Sequence, residues 1–533
     1  MSSPATATAD DEGVNENTPP SSVMPVSTAM TTPKSWFALA GVTIIGILVF
    51  WTFDAMPFMD LPAHAGLIAL RHRYDQSALE QASFVVSLHV GPYSLFRGLG
   101  EALVGLIGPT RAVRAIATLP LLLTPLALAF SRRRLQRDRS PLAGFVGVTL
   151  SFGLMALLGF ASYLTGVAVL IVVLTLWLEL LAIRGTAWKR EALVALGACF
   201  LFISHGHAYV IFLGIAGITA LSAAPRRERL LRLRALAPSF VLAAWSASLA
   251  RGTPEGAAHV EWASNGVHFQ GPLDKLSLLV TPTLMTRTGI DSLLGIGMWI
   301  VILTATVATY RAVKKATDEA AVHSRALLAA AAACALAFLV LPHNIGWFGF
   351  VDGRFVPLVL MLCFLALRRS ALSARLQRIL DRGSIAAATI ITVVALVANQ
   401  RFQNEARGYD RVLARIPTAS RVLNLPLDAD SDIFAAHPFI HYDKLVLAER
   451  PIVPSDLWFH QGTGVYPKPG NPALTLPESY TPSDLKKIDW PDYRLTDWDY
   501  VLIRTRPEGR TPSTPAVLEL VEHEGGWWLY RRM

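Results

Sequence analysis

The chain has 533 residues, 53% of them hydrophobic and only 16% charged, with a mean hydropathy of +0.42. No water-soluble fold hides that much apolar surface behind so few charges, so the composition describes an integral membrane protein. Forty-eight Lys and Arg against 39 Asp and Glu give a net charge of +9, but the surplus lies in short loops between apolar runs, which argues against nucleic acid as a partner.

Residues 1–34 are dominated by Thr, Ser, Pro and Ala, with four acids between Asp10 and Glu16. They bury too little apolar surface to offset the entropy of ordering and read as a disordered cytoplasmic leader. The first apolar run, 35–53, has the length of a helix crossing about 30 Å of hydrocarbon. No short cleavable segment precedes it, so it reads as a retained span. Further runs follow at 112–130, 142–158, 163–183, 192–203, 208–224, 235–249, 293–310, 326–341, 355–367 and 385–398, making eleven. The expected fold is an all-α polytopic membrane domain of about eleven spans over 35–400, followed by a small α/β domain over 401–533.

Lys and Arg accumulate in short cytoplasmic loops. Loops 131–140, 184–190, 225–234, 311–325 and 368–382 hold 22 basic residues, whereas the alternating loops 54–110, 159–162, 204–207, 251–290 and 342–354 hold seven. The first set is therefore expected inside and the second outside. The same parity demands a hairpin turn at 204–207 and keeps the apolar stretch 92–107 from crossing, so 61–110 is expected as helices lying along the outer face. The tail then lies outside as well. It carries 16 basic and 18 acidic residues, and short β-type runs at 421–426, 445–447, 500–503 and 527–530 alternate with Pro, Gly and Asp clusters. Its tryptophans, Trp458, Trp490 and Trp498 among them, read as core or interface packing ahead of sugar stacking. Cys199, Cys334 and Cys363 all fall in apolar runs and imply neither a disulfide framework nor a thiolate metal site.

The strongest chemical signal follows the first span, where Asp54, Asp60 and His64 fall within eleven residues stiffened by Pro57 and Pro62. Carboxylates at a membrane surface are costly unless paired, metal-bound or facing a wet cavity. One of them suits a general base for a hydroxyl acceptor, or a metal site shared with His64. The competing reading is a helix cap, which Asp60 before Leu61-Pro62 also satisfies. His205 and His207 sit at the 204–207 turn, where imidazoles bind phosphate when protonated or metal when neutral, or simply pack at the interface. Tyr163 begins the neighbouring span and is expected to line the same cavity, with interfacial packing as the plainer role. The loop 342–354 delivers Arg354 to the start of a span, where a guanidinium suits a phosphate or pairs with Asp352. Loop 251–290 adds Glu261, Trp262, His268, Lys275 and Arg287 as a lid. No nucleotide-binding or nucleophile motif appears in a supporting context, and the spans lack mid-depth charges of the kind ion-coupled transporters use.

An acidic first outer loop from Asp54 to His64, juxtamembrane helices after it, some eleven spans, the turn histidine His205, the Asp-Gly-Arg element ending at Arg354 and a C-terminal outer domain together resemble the GT-C superfamily. These are multi-span glycosyltransferases that use lipid-linked sugars. The resemblance covers most of the chain in architecture. It implies a polyprenyl-phosphate-linked sugar as donor, a glycan, lipid or protein as acceptor, membrane lipids as surroundings, and the inner membrane of a bacterium as location. It gives Asp60 or Asp54 the role of base or metal contact and assigns the donor phosphate to Arg354, His205 and His207, with His64, Tyr163, Asp352, Lys275 and Arg287 around the cavity. A divalent cation, Mg or Mn, is left open as cofactor, because Gly159 to Tyr163 lacks the second acidic motif that many members carry. The readings set against an enzyme are a non-catalytic envelope protein that binds a lipid carrier or recruits partners, and then a transporter or flippase.

Overall fold

The computed structural model describes residues 33–87, 89–221, 226–251, 266–280, 283, 286–346, 348–458, 463–477 and 480–533. The expected leader lies outside these residues except for Pro33 and Lys34, which already belong to the first helix. Glu261 and Trp262 of the expected lid lie outside them too.

Each of the eleven apolar runs coincides with one or more helices over most of its described residues. Among the described residues, seven helices are long and apolar enough to cross a membrane: Pro33–Trp51, Pro109–Leu135, Ala161–Ala182, Glu228–Ala250, Ile290–Val313, Glu319–Val340 and Ala374–Glu405. Leu142–Ser151, Gly206–Leu221 and Phe355–Ala366 are shorter apolar helices. Every residue of Phe355–Ala366 is buried, as is every residue of Leu142–Leu150. A helix apolar on all sides finds its place inside a bundle rather than on its rim. The segments pack closely because small residues permit it. A Cβ on Gly147 would lie 2.6 Å from the Pro125 Cα, so only glycine lets this helix press against the backbone of Pro109–Leu135.

The run 192–224 is broken as the charge parity required. His205 has an extended backbone (φ −165°, ψ 119°), which ends Trp188–Ser204 and lets Gly206–Leu221 begin. The stretch 92–107 forms Ser94–Ile107, a helix of 14 residues, about 21 Å long and too short to cross. It buries Phe96, Gly100 and Val104 along one face and leaves Leu106 exposed.

The C-terminal part is built on a five-stranded mixed sheet in the order Val453–Pro454, Arg421–Pro426, Tyr500–Arg504, Trp527–Arg532, Leu518–Glu524. The first three strands run parallel and the last two pair antiparallel. Three of the four expected strands are found. The fourth, 445–447, is instead part of the helix Lys444–Glu449. Three apolar residues in a row suit either state, and docking decides here. A Cβ on Gly66 would come 3.0 Å from Leu447 and 3.1 Å from the Lys444 carbonyl, so this helix lies directly on the helix Leu61–Arg73. A second join is the antiparallel pairing of Phe84–Val86 with Val465–Pro467. The cavity described next lies between these two parts of the chain.

Candidate active site

The link between the first helix and Leu61–Arg73 is clamped from three sides. Arg114 donates to the carbonyl oxygens of Phe53 and Asp54, each at 2.7 Å. The Gln403 amide bonds both backbone groups of Ala55, and Tyr442 Oη donates to the Met56 carbonyl at 2.8 Å. So held, the link turns Asp54 outward to an exposed position and Asp60 into a cavity of about 580 Å3. Asp60 stands at the N-cap position of its helix, yet its side chain makes no capping bond. The carboxyl is left facing the cavity.

Gly159 positions it. Its φ of +84° is a left-handed conformation, and a Cβ there would meet the Asp60 Cβ at 2.8 Å and its backbone nitrogen at 3.0 Å. Met59 N–H donates to the Leu157 carbonyl at 2.9 Å beside it. Gly159→Ala is expected to displace Asp60 with the protein still folded and to lower about tenfold or more any reaction that needs this carboxyl, as a side-by-side comparison of rate and melting temperature would check.

Burial pushes the Asp60 carboxyl up to about 8, and the Arg354 guanidinium holds it back only in part. Arg354 is 4% exposed. Its guanidinium carbon lies 4.1 Å from the Phe348 ring centre, 4.5 Å from Phe160 and 5.4 Å from Tyr163. One terminal nitrogen donates to the Gly349 carbonyl at 3.1 Å, while Nε is buried with no hydrogen-bond partner. Tyr163 is fully buried behind it, with Oη donating to the Arg354 carbonyl oxygen, so this tyrosine supports the arginine and does not line the cavity as expected.

His205 does line the cavity. Its Nδ1 accepts from Ala208 N–H at 3.4 Å, which makes Nε2 the N–H of the neutral ring. Burial, then Arg354 and His207, hold its pKa well below the ordinary value, and burial followed by Arg71 takes His64 down to about 3. Both imidazoles are therefore neutral hydrogen-bonding groups at physiological pH. His207 is packed among Tyr163, Phe348 and Phe355 with ring centres 5.6 to 6.1 Å away, and is not on the cavity wall.

The remaining expected residues also lie off the wall. Asp352 is fully buried, with Lys275 Nζ at 3.0 Å, His343 Nδ1 at 2.8 Å and Gly353 N–H donating at 2.7 Å. Lys275 donates further to the Phe338 and Leu341 carbonyls at 2.7 and 2.8 Å. The group staples the turn that presents Arg354 to the end of the helix Glu319–Val340. Lys275→Met would leave a buried carboxylate short of its cation and is expected to destabilise the protein by about 3 kcal/mol, read from denaturant unfolding. Arg287 donates from its backbone to Ile433 O at 2.9 Å and from Nε to Phe434 O at 3.2 Å, joining its loop to the C-terminal part.

Several cavity residues carried no signal in the sequence. Arg71 and Arg97 face it from the membrane side, although the segment 54–110 contains only three basic residues, a scarcity that gives each one weight. Arg71 pairs with Glu101 at 3.1 Å, and burial lowers it to about 10. Tyr93 joins Arg354, while His437, His441, Asp456 and Trp458 come from the C-terminal part. Nothing local in 437–458 announces a cavity wall, because that wall exists only once the sheet has docked.

The metal left open by the sequence resemblance does not fit these residues. Among the described residues no three His, Cys, Asp or Glu side chains come together as a metal-ligand set. Asp60 is held toward its protonated form, and the groups beside it are cationic or aromatic.

No family model matches the chain, and no curated protein matches it. Among solved structures it is similar to ArnT from Cupriavidus metallidurans bound to undecaprenyl phosphate, with a TM-score of 0.54 and 12% identity over 94% of this chain and 98% of that one. It is also similar to ArnT from the same organism in the apo state, with a TM-score of 0.53 and 12% identity over 93% and 98% of the two chains. The likeness lies in the fold and runs through both parts of the chain, the bundle and the sheet domain. It agrees with the expected polytopic helical bundle followed by a small C-terminal sheet part.

Proposed function

We propose that the protein is an integral-membrane glycosyltransferase that moves a sugar from a polyprenyl-phosphate donor to a hydroxyl acceptor. A glycan, a lipid or a protein each offers such a hydroxyl. The observation that carries the reading is a buried guanidinium with an unpartnered Nε, Arg354, in the same cavity as the uncapped carboxyl of Asp60. Arg71 and Arg97 add positive charge on that side. An anion belongs there, and a membrane-level cavity suits one whose tail stays among the helices. The bound undecaprenyl phosphate in the similar ArnT structure supports the same class of ligand.

In the proposed step the acceptor oxygen attacks the anomeric carbon, and the bond from that carbon to the phosphate oxygen breaks. The electron pair leaves with the polyprenyl phosphate, whose growing charge Arg354 stabilises. The acceptor proton passes to Asp60 in its carboxylate form. A carboxyl raised to about 8 is a far stronger base than an exposed one, at the cost of being ionised in a minority of molecules at neutral pH. Attack opposite the leaving group inverts the anomeric carbon. The neutral His205 Nε2–H serves the phosphate as a donor. We place the cavity on the extracytoplasmic side of a bacterial inner membrane, with the N-terminus inside, on the strength of the basic-loop bias.

The test is to incubate the full chain in nanodiscs with lipid-linked sugars extracted from its host membrane and to measure release of polyprenyl phosphate. Release that requires Asp60 supports the proposal. Carrier binding without release would replace it with a carrier-binding protein, and neither binding nor release would remove it.

A further inference from the structure

The cavity is divided by charge. The arginines that line it, Arg71, Arg97 and Arg354, all come from the membrane side, whereas the C-terminal part contributes Asp456, His437, His441 and Trp458, and no Lys or Arg among the described residues. Of the lysines flanking these residues, Lys444 is fully buried and held by Asp443 at 2.9 Å, and Lys468 donates to the Gln81 carbonyl oxygen. The cation that does reach this wall, Arg71, donates to the Thr463 carbonyl oxygen at 3.4 Å and is paired with Glu101 at 3.1 Å, so a phosphate presented to Asp456 would meet a carboxylate. A polyhydroxyl group would meet hydrogen-bond acceptors and an aromatic ring.

Trp458 gives the wall its shape. It has a left-handed backbone, φ +53°, unusual for a residue with a side chain. The conformation is held by its own N–H donating to Asp456 Oδ1 at 3.0 Å. It brings the indole against the imidazoles of His64 and His441 in edge-on arrangements, with ring centres 4.9 and 5.1 Å away. Burial holds both of those rings neutral, so the tryptophan is not engaged by a cation from either side. An indole fixed at a cavity wall offers an apolar face to the C–H groups of a sugar ring. Asp456 Oδ2 remains for its hydroxyls. At the rim, His437 is oriented by Asp430 through Nδ1, both side chains being 45% exposed, which turns Nε2 outward. The cavity, at about 580 Å3, lies within the usual range of ligand pockets of roughly 300–1,000 Å3, large enough for a ligand of more than one sugar.

Resting on the proposed transfer from a lipid-linked donor, we propose that the wall formed by Asp456, Trp458 and His437 is the acceptor subsite and that the acceptor is a neutral sugar hydroxyl of a glycan. Trp458 stacks the ring, Asp456 accepts from its hydroxyls, and the arginine side is left to the donor phosphate.

The test uses the full chain in nanodiscs and saturation-transfer NMR with methyl glycosides of common hexoses and pentoses, with glucose 1-phosphate as an anionic probe. At least one methyl glycoside is expected to show saturation on one ring face, reduced about fivefold or more in Asp456→Asn and in Trp458→Ala and retained in Arg354→Ala. Trp458→Phe, which keeps a ring in place, is expected to retain part of the signal and guards against misfolding of the alanine variant. Glucose 1-phosphate is expected to lose its signal in Arg354→Ala instead. Silence from every glycoside, or a glycoside signal that survives Asp456→Asn and vanishes in Arg354→Ala, overturns the proposal. Donor hydrolysis to water without acceptor is followed in parallel. If it persists while glycosides fail to bind, only the acceptor assignment falls; if it is absent as well, the transferase reading falls with it.

Discussion

Asp60→Asn is expected to lower sugar transfer by about 10²- to 10⁴-fold while leaving donor binding intact, because the amide keeps the shape of the carboxyl and cannot take a proton. The wild-type rate should climb with pH and level off above about 8, the value to which burial raises this carboxyl. Titrating initial rates between pH 5 and 9 in both proteins checks this, and a profile flat across 8 would remove Asp60 from the role of base. Stability should move the opposite way. The unfolded chain ionises Asp60 near the ordinary 3.8 and the folded chain only near 8, so folding favours the protonated form. The stability that depends on that protonation is lost as pH rises through this interval. The asparagine variant, which does not titrate, should melt with the parent near pH 4 and above it at pH 8.

The second large effect is expected at Arg354. Its replacement by alanine should reduce the rate per donor encounter by about 10²- to 10³-fold, since the group proposed to meet the departing phosphate is gone. Lysine should recover little. The planar guanidinium lies between Phe348 and Phe160, its carbon 4.1 and 4.5 Å from their centres, a slot that a compact ammonium on a flexible stem does not fill. Steady-state rates over a range of donor concentrations check both variants, and a lysine variant restored to within a few-fold of wild type would show that charge alone suffices there.

The two residues differ in how plainly the sequence exposed them. Asp60 and Arg354 stand in short polar segments beside apolar runs, where a charge has few inexpensive places to be, and both line the cavity. The apolar runs were legible as helices, but only seven of the helices among the described residues are long enough to cross hydrocarbon, and Leu142–Leu150 and Phe355–Ala366 are too short. His205 was legible as a break, since charge parity could not tolerate a continuous helix through it. Asp54 could not be told from Asp60 on chemistry. What separates them is the Arg114 clamp on the backbone of 53–54, a contact between residues some sixty positions apart. Lys275 and Asp352 read as cavity residues and proved to be each other's partners, an outcome that depends on how one loop folds over another. Residues 445–447 were read as strand because three apolar residues carry no period, and Gly66 on a distant helix makes the decision. Arg71, Arg97 and Asp456 needed the same long-range information, since each gains its meaning from what faces it.

Phe84–Val86 and Val465–Pro467 form a two-stranded seam, and Gly66 seats the helix Lys444–Glu449 a few residues beyond Asp60. The cavity is thus assembled by two regions nearly four hundred positions apart, and neither owns it. A protease nick or a truncation that freed residues 415–533 would abolish turnover without touching a single group assigned to the donor. By the same token, a wedge-shaped inhibitor prising open that seam would silence the protein from outside its reaction centre.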